Sequence, residues 1–167
     1  MYSVFVLLFL ILTGCESVTN DELYNKMEQD FSADITENKA EYFEYLYDGL
    51  VPQSSYFVES KIQYLKFKHN PEVGFSEGLI YFDFETDAIK KYVLRKVRPD
   101  WREYEEGKNE KFFDTIFVLY PNRKDGEVYY GNKLIDKKYR EDILKENLDF
   151  IYAMKKRTEY VFKNNTQ

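Results

Sequence analysis

Between Leu79 and Glu85 the chain alternates between two faces of an extended backbone. Ile80, Phe82 and Phe84 fall on one side, and Tyr81, Asp83 and Glu85 on the other. A segment with that pattern is a strand with one face on a core, and a strand needs neighbours. The stretch from Tyr56 to Lys68 is rich in aromatic and β-branched residues, with Tyr56, Val58, Ile62 and Tyr64 on one parity. Asn70-Pro71 ends it, so the two stretches are expected to pair as antiparallel neighbours across residues 69–78. Phe112 to Tyr120 reads as a further strand. Pro121-Asn122-Arg123-Lys124-Asp125-Gly126 turns the chain, and Glu127 to Tyr130 returns as its hairpin partner. Residues 87–98 fit two descriptions. Asp87 can cap a short helix burying Ile89, Tyr92, Val93 and Val97, or the alternation Ile89, Lys91, Val93, Arg95, Val97 can extend the sheet.

Helical patterns bracket these strands. Thr19-Asn20-Asp21-Glu22 reads as a capping box with Thr19 as N-cap, and Leu23, Met27, Phe31 and Ile35 recur every four residues. Tyr42, Phe43, Leu46 and Tyr47 continue as a second helical stretch ending at Gly49, giving one helix over 20–48 or two with a break near Asp34–Asn38. A long helix is expected from Asp136 to about Lys163. Ile143, Asn147, Ile151, Met154, Thr158 and Val161 form its apolar stripe, widened by Leu144, Leu148 and Phe162, and Lys155, Lys156 and Arg157 complement its dipole. The predicted class is α+β: an antiparallel sheet of four to five strands flanked by an N-terminal helical region and a long C-terminal helix. With no internal repeat or linker, residues 20–167 read as one domain.

The formal net charge of −6 argues against a general nucleic-acid binder. The 16 Tyr and 14 Phe suit either a Tyr-rich recognition surface or the codon bias of an AT-rich genome. Lys far outnumbers Arg, so bias explains the total, and recognition is reserved for exposed clusters.

The one cysteine, Cys15, closes an apolar run that begins at Val4. From Val4 to Leu12 the run would span about 13 Å as a helix, against about 30 Å of bilayer hydrocarbon, which is signal-peptide length. Leu12-Thr13-Gly14-Cys15 resembles the lipobox of bacterial lipoproteins. The resemblance covers residues 1–15 alone. It implies a signal peptide over 1–14, cleavage before Cys15, a diacylglycerol thioether on the Cys15 sulfur and acylation of the new amino group. Residues 15–19 are then a tether. Two or more acyl chains make a stable membrane anchor. Glu16 stands where enteric-type lipoproteins retained in the inner membrane carry Asp, which implies an outer-membrane location in the cell envelope.

Asp83, Glu85 and Asp87 would share one face if the strand ran on, within reach of a hard cation; as the solvated face of an amphipathic strand they need no ligand. His69, the only histidine, has neither a Gly-x-Ser-x-Gly nucleophile motif nor a His-Glu-x-x-His motif beside it, so it reads as a loop residue. No catalytic residue, metal or cofactor is expected. Lys90, Lys91, Arg95, Lys96, Arg98 and Arg102 are the densest positive stretch. Lys91, Arg95 and Arg98, with Trp101, Tyr129 and Tyr130 as aromatic anchors, are the candidate partner-binding residues. The expected function is a lipid-anchored envelope protein whose non-enzymatic domain binds a macromolecule, with a protein partner expected. The alternatives are an immunity-type lipoprotein that neutralises a periplasmic toxin or effector and, disfavoured, an envelope hydrolase.

Overall fold

The computed structural model describes residues 20–47, 53–70, 73–99 and 112–165. Helix α1 (Asp21–Glu37) leads into strands β1 (Glu41–Glu44), β2 (Gln53–Val58), β3 (Lys61–His69), β4 (Phe75–Phe82), β5 (Ile89–Pro99), β6 (Phe112–Tyr120), β7 (Asp125–Tyr130) and β8 (Lys133–Asp136), and then into helix α2 (Glu141–Asn165). The α+β class stands, but the antiparallel sheet has eight strands rather than four to five, laid side by side in chain order. Cys15, Gly49 and Trp101 lie outside the described residues, as does Thr19.

The helices cover opposite faces of the sheet. On one side Tyr24 and Phe31 of α1 pack on Tyr64, Leu79, Tyr81, Val93, Ile116 and Val118. On the other, Ile143, Leu144, Ile151, Met154 and Phe162 of α2 pack on Phe57, Leu65, Ile80, Tyr92, Leu94 and Leu119. With core on both faces, β4 buries every residue from Glu77 to Phe82. Tyr81, expected to face solvent, is therefore 7% exposed beneath α1. Gly78 sits opposite Phe67, whose ring lies where a Cβ would be: the nearest ring carbon is 2.4 Å from that position.

Three corrections account for the additional strands. Tyr56 to Lys68 is two strands, joined by a tight turn in which Glu59 has φ +58°. Tyr42 and Phe43 belong to edge strand β1 rather than to a second helix. Their rings find cross-strand and cross-layer partners there: Tyr42 with Tyr56 at 5.5 Å, and Phe43 with Phe57 at 6.0 Å and Phe162 at 5.2 Å. Residues 133–136 form β8, so α2 begins at Glu141, not Asp136. The turn before β8 holds Gly131 and Asn132 at φ +56° and +58°, the left-handed pair that a two-residue hairpin needs. Of the two descriptions of 87–98, the strand is the one adopted.

The start of α1 is fastened to one end of the sheet. Asn20 occupies the N-cap position but its side chain makes no cap hydrogen bond. It is fully buried instead. Its backbone N–H donates to Asp114 Oδ2 at 3.0 Å, its Nδ2 donates to the Asp114 carbonyl at 2.7 Å, and its Oδ1 accepts from the Asn132 N–H at 2.6 Å. Beside it Arg95 donates to Asp114 Oδ2 and Asp21 Oδ1, each at 2.6 Å, and to Glu77 Oε1 at 3.3 Å. This network pins β4, β5, β6, the β7–β8 turn and α1 together.

Candidate functional site

The predicted positive stretch does not form one surface. Side chains alternate along β5, so Lys91 and Arg95 face α1 while Arg98 faces the α2 side. Arg95 is 7% exposed and engaged with three carboxylates, so it is a structural cation rather than a docking residue. Burial opposes its charge, but hydrogen bonds to Asp114 and Asp21 outweigh that and hold its pKa up. Burial pushes the Glu77 carboxyl pKa up, against the pull of Lys68 and Arg95. Lys91 lies 4.8 Å above the Tyr81 ring. Burial pushes its pKa down, and Asp30, Asp34 and Glu127 pull it back. Arg98 is exposed and shares an open groove of about 640 Å³ with His69, Lys96 and Glu146. Tyr129 turns towards α1, and its hydroxyl donates to Glu127 at 2.7 Å. Burial and that bond raise its pKa to about 12. Tyr130 is 40% exposed.

Asp83, Glu85 and Asp87 do not share a face, because β4 stops at Phe82. Asp83 Oδ1 accepts from both the N–H and the hydroxyl of Thr86, each at 2.8 Å, which builds a turn and lowers the carboxyl pKa. Asp87 has φ +63° and accepts from Lys155 at 2.9 Å. Lys155, expected to complement the helix dipole, is 2% exposed and also paired with Glu159. Phe84, expected in the core beside Phe82, is 40% exposed on the same turn. Among the described residues no cluster of three His, Cys, Asp or Glu side chains could hold a metal ion, and no helix is long and apolar enough to cross a membrane.

A different surface has the chemistry expected of a docking site. Ala153, Lys156, Arg157 and Tyr160 recur at i, i+3, i+4 and i+7, so they form one ridge of α2. With Tyr47 they line a shallow groove of about 670 Å³ at the β1 side of the sheet. Tyr47 is steadied edge-on against Phe150, with ring centroids 5.8 Å apart. The Arg157 Nε–H donates to the Tyr45 hydroxyl at 3.4 Å, and the guanidinium stands 5.4 Å from the Tyr160 ring. Tyr160 is 60% exposed. No ion pair among the described residues occupies Lys156 or Arg157. The spacing of Lys156, Arg157 and Tyr160 was readable in the sequence. Their meeting with Tyr45 and Tyr47 was not, because those tyrosines reach the site only through the β1 edge.

No family model matches the chain, and no curated protein or solved structure shows significant similarity to it.

Proposed function

We propose that the chain is a lipid-anchored protein of the bacterial cell envelope, held in the outer membrane through Cys15, and that its domain binds a protein partner without catalysing a reaction. The binding half of this reading is carried by the α2 surface. Two cations with no acidic partner among the described residues sit between tyrosines on an otherwise acidic chain. Tyr and Arg are the residue types that dominate interface energetics, and the positive patch favours an acidic partner face. The anchoring half rests on the lipobox-like Leu12-Thr13-Gly14-Cys15.

The test uses detergent-solubilised envelope after in-cell cross-linking. The wild type is compared with an Arg157→Glu/Tyr160→Ala variant and with a Lys91→Glu/Arg98→Glu variant. A hot spot of about 2 kcal/mol corresponds to roughly 30-fold weaker binding, so the first variant loses the cross-linked partner and the second keeps it. Equal recovery with the first variant refutes the surface assignment. Separately, Cys15→Ser is expected to abolish fatty-acid labelling and release the protein from the membrane fraction. An unlabelled wild type with unchanged fractionation refutes the anchor.

A further inference from the structure

We infer that the end of the sheet bearing Phe112, Phe113 and Tyr130 rests on the membrane that carries the lipid anchor, with these rings at headgroup depth. The inference rests on the proposed lipidation of Cys15. Five Cα–Cα steps separate Cys15 from Asn20, a reach of at most about 18 Å. Asn20 cannot swing away from the domain, because it is buried and bonded to Asp114 and Asn132. A lipid on Cys15 therefore keeps the end of the domain that carries Asn20 within about 18 Å of the bilayer surface. At that end β5 finishes, β6 begins, and β7 turns into β8.

The side chains there suit the interface. Phe112 and Phe113, directly before Asp114, are 37% and 42% exposed, and Tyr130, two residues before Asn132, is 40% exposed. The Phe113 and Tyr130 rings approach to 6.4 Å on the α2 side of the sheet. Arg98, opposite Phe113 in the strand register, and Lys133, opposite Tyr130, are exposed cations with no ion pair among the described residues. Aromatic rings flanked by Lys and Arg are the composition favoured at headgroup depth, where the rings enter the acyl boundary and the cations meet anionic lipid. The partner-binding groove is displaced sideways from this patch. It lies at the β1 side of the sheet, about five inter-strand spacings or roughly 24 Å from β6. The Tyr130 ring is thus assigned to lipid rather than to a protein partner.

The experiment places a single indole on the patch. In the full chain carrying Trp101→Phe, Phe113→Trp and, separately, Tyr130→Trp are made, with Tyr160→Trp on the α2 ridge as the comparison. Each acylated protein is reconstituted into phosphatidylcholine–phosphatidylglycerol vesicles containing lipid brominated high in the acyl chain. Interfacial side chains sit about 5–10 Å into the headgroup–acyl boundary, so the two patch indoles are expected to lose at least about half their emission. The Tyr160→Trp indole is expected to lose little. Mass spectrometry of the same samples reads the acyl chains. Acylated, vesicle-bound protein whose patch indoles are no more quenched than the Tyr160→Trp indole overturns the membrane-facing assignment while leaving the anchor intact. Protein without acyl chains overturns the anchor and this inference with it.

Discussion

Replacing Arg95 with Met is expected to destabilise the domain by about 3–5 kcal/mol, the cost of breaking a buried ion pair from one side. Met keeps the apolar stem but leaves Asp114, whose side chain is 15% exposed, without the guanidinium, and leaves Glu77, 11% exposed, with only Lys68 at 3.9 Å. Asp21, 57% exposed, adds at most about 1 kcal/mol because water and salt already screen it. For a domain of this size, 3–5 kcal/mol lowers the melting temperature by roughly 6–20 °C. The loss also has a predicted pH dependence. Burial raises the Glu77 carboxyl pKa even with Arg95 present, and removing the guanidinium raises it further. A carboxyl whose folded-state pKa is raised contributes stability that is fully present below its unfolded pKa and lost as pH rises through the folded one. The variant's deficit is therefore full at neutral pH and shrinks as the pH falls towards the ordinary Glu value of about 4.3. Urea unfolding followed by circular dichroism at both pH values measures it. A deficit under about 1 kcal/mol at neutral pH, or one of equal size at both, refutes the account of Arg95 as the cation of a buried network.

Two further substitutions test the packing. Phe82→Ala is expected to cost about 3–5 kcal/mol, because the ring is 5% exposed beneath α2, whereas Phe84→Ala, on the exposed turn, stays within about 1 kcal/mol; equal losses in thermal melts contradict the placement of the β4 end. Tyr92→Phe is expected to leave stability unchanged or raise it by up to about 1 kcal/mol, since the buried hydroxyl has no protein hydrogen-bond partner among the described residues; a loss above that in urea unfolding shows that the hydroxyl is satisfied.

Local periodicity determined a good deal by itself. The four-residue recurrence of Leu23, Met27, Phe31 and Ile35 and the stripe from Ile143 to Phe162 lie on the sheet-facing sides of α1 and α2, although Tyr24 and Lys155, outside both patterns, are buried more deeply than Leu23 or Val161. The strand of Phe112 to Tyr120 has its expected bounds, and the antiparallel pairing of β3 with β4 follows from the turn residues between them. These features depend on neighbours a few residues away, which a sequence displays. Gly131-Asn132 is a turn signal that the expected helix from Asp136 passed over, and β8 follows it. The β2–β3 turn was not legible, because Glu59 takes a left-handed conformation without Gly or Asn to signal it.

The tertiary structure decided the remainder, because burial is set by what lies across the sheet rather than along the chain. Tyr81 and Asp83 share a parity, yet α1 covers one and a turn carries the other away. Arg95 and Arg98 lie three residues apart in one basic run. One is neutralised by carboxylates from α1, β4 and β6, and the other is left at the sheet's open end. A candidate site read from charge density assumes that neighbouring cations face the same medium. The two-residue alternation of a strand covered on both faces breaks that assumption. The cation–tyrosine surface of Tyr45, Tyr47, Arg157 and Tyr160 joins residues more than a hundred positions apart, and it exists only because β1 and the last turns of α2 meet at one edge.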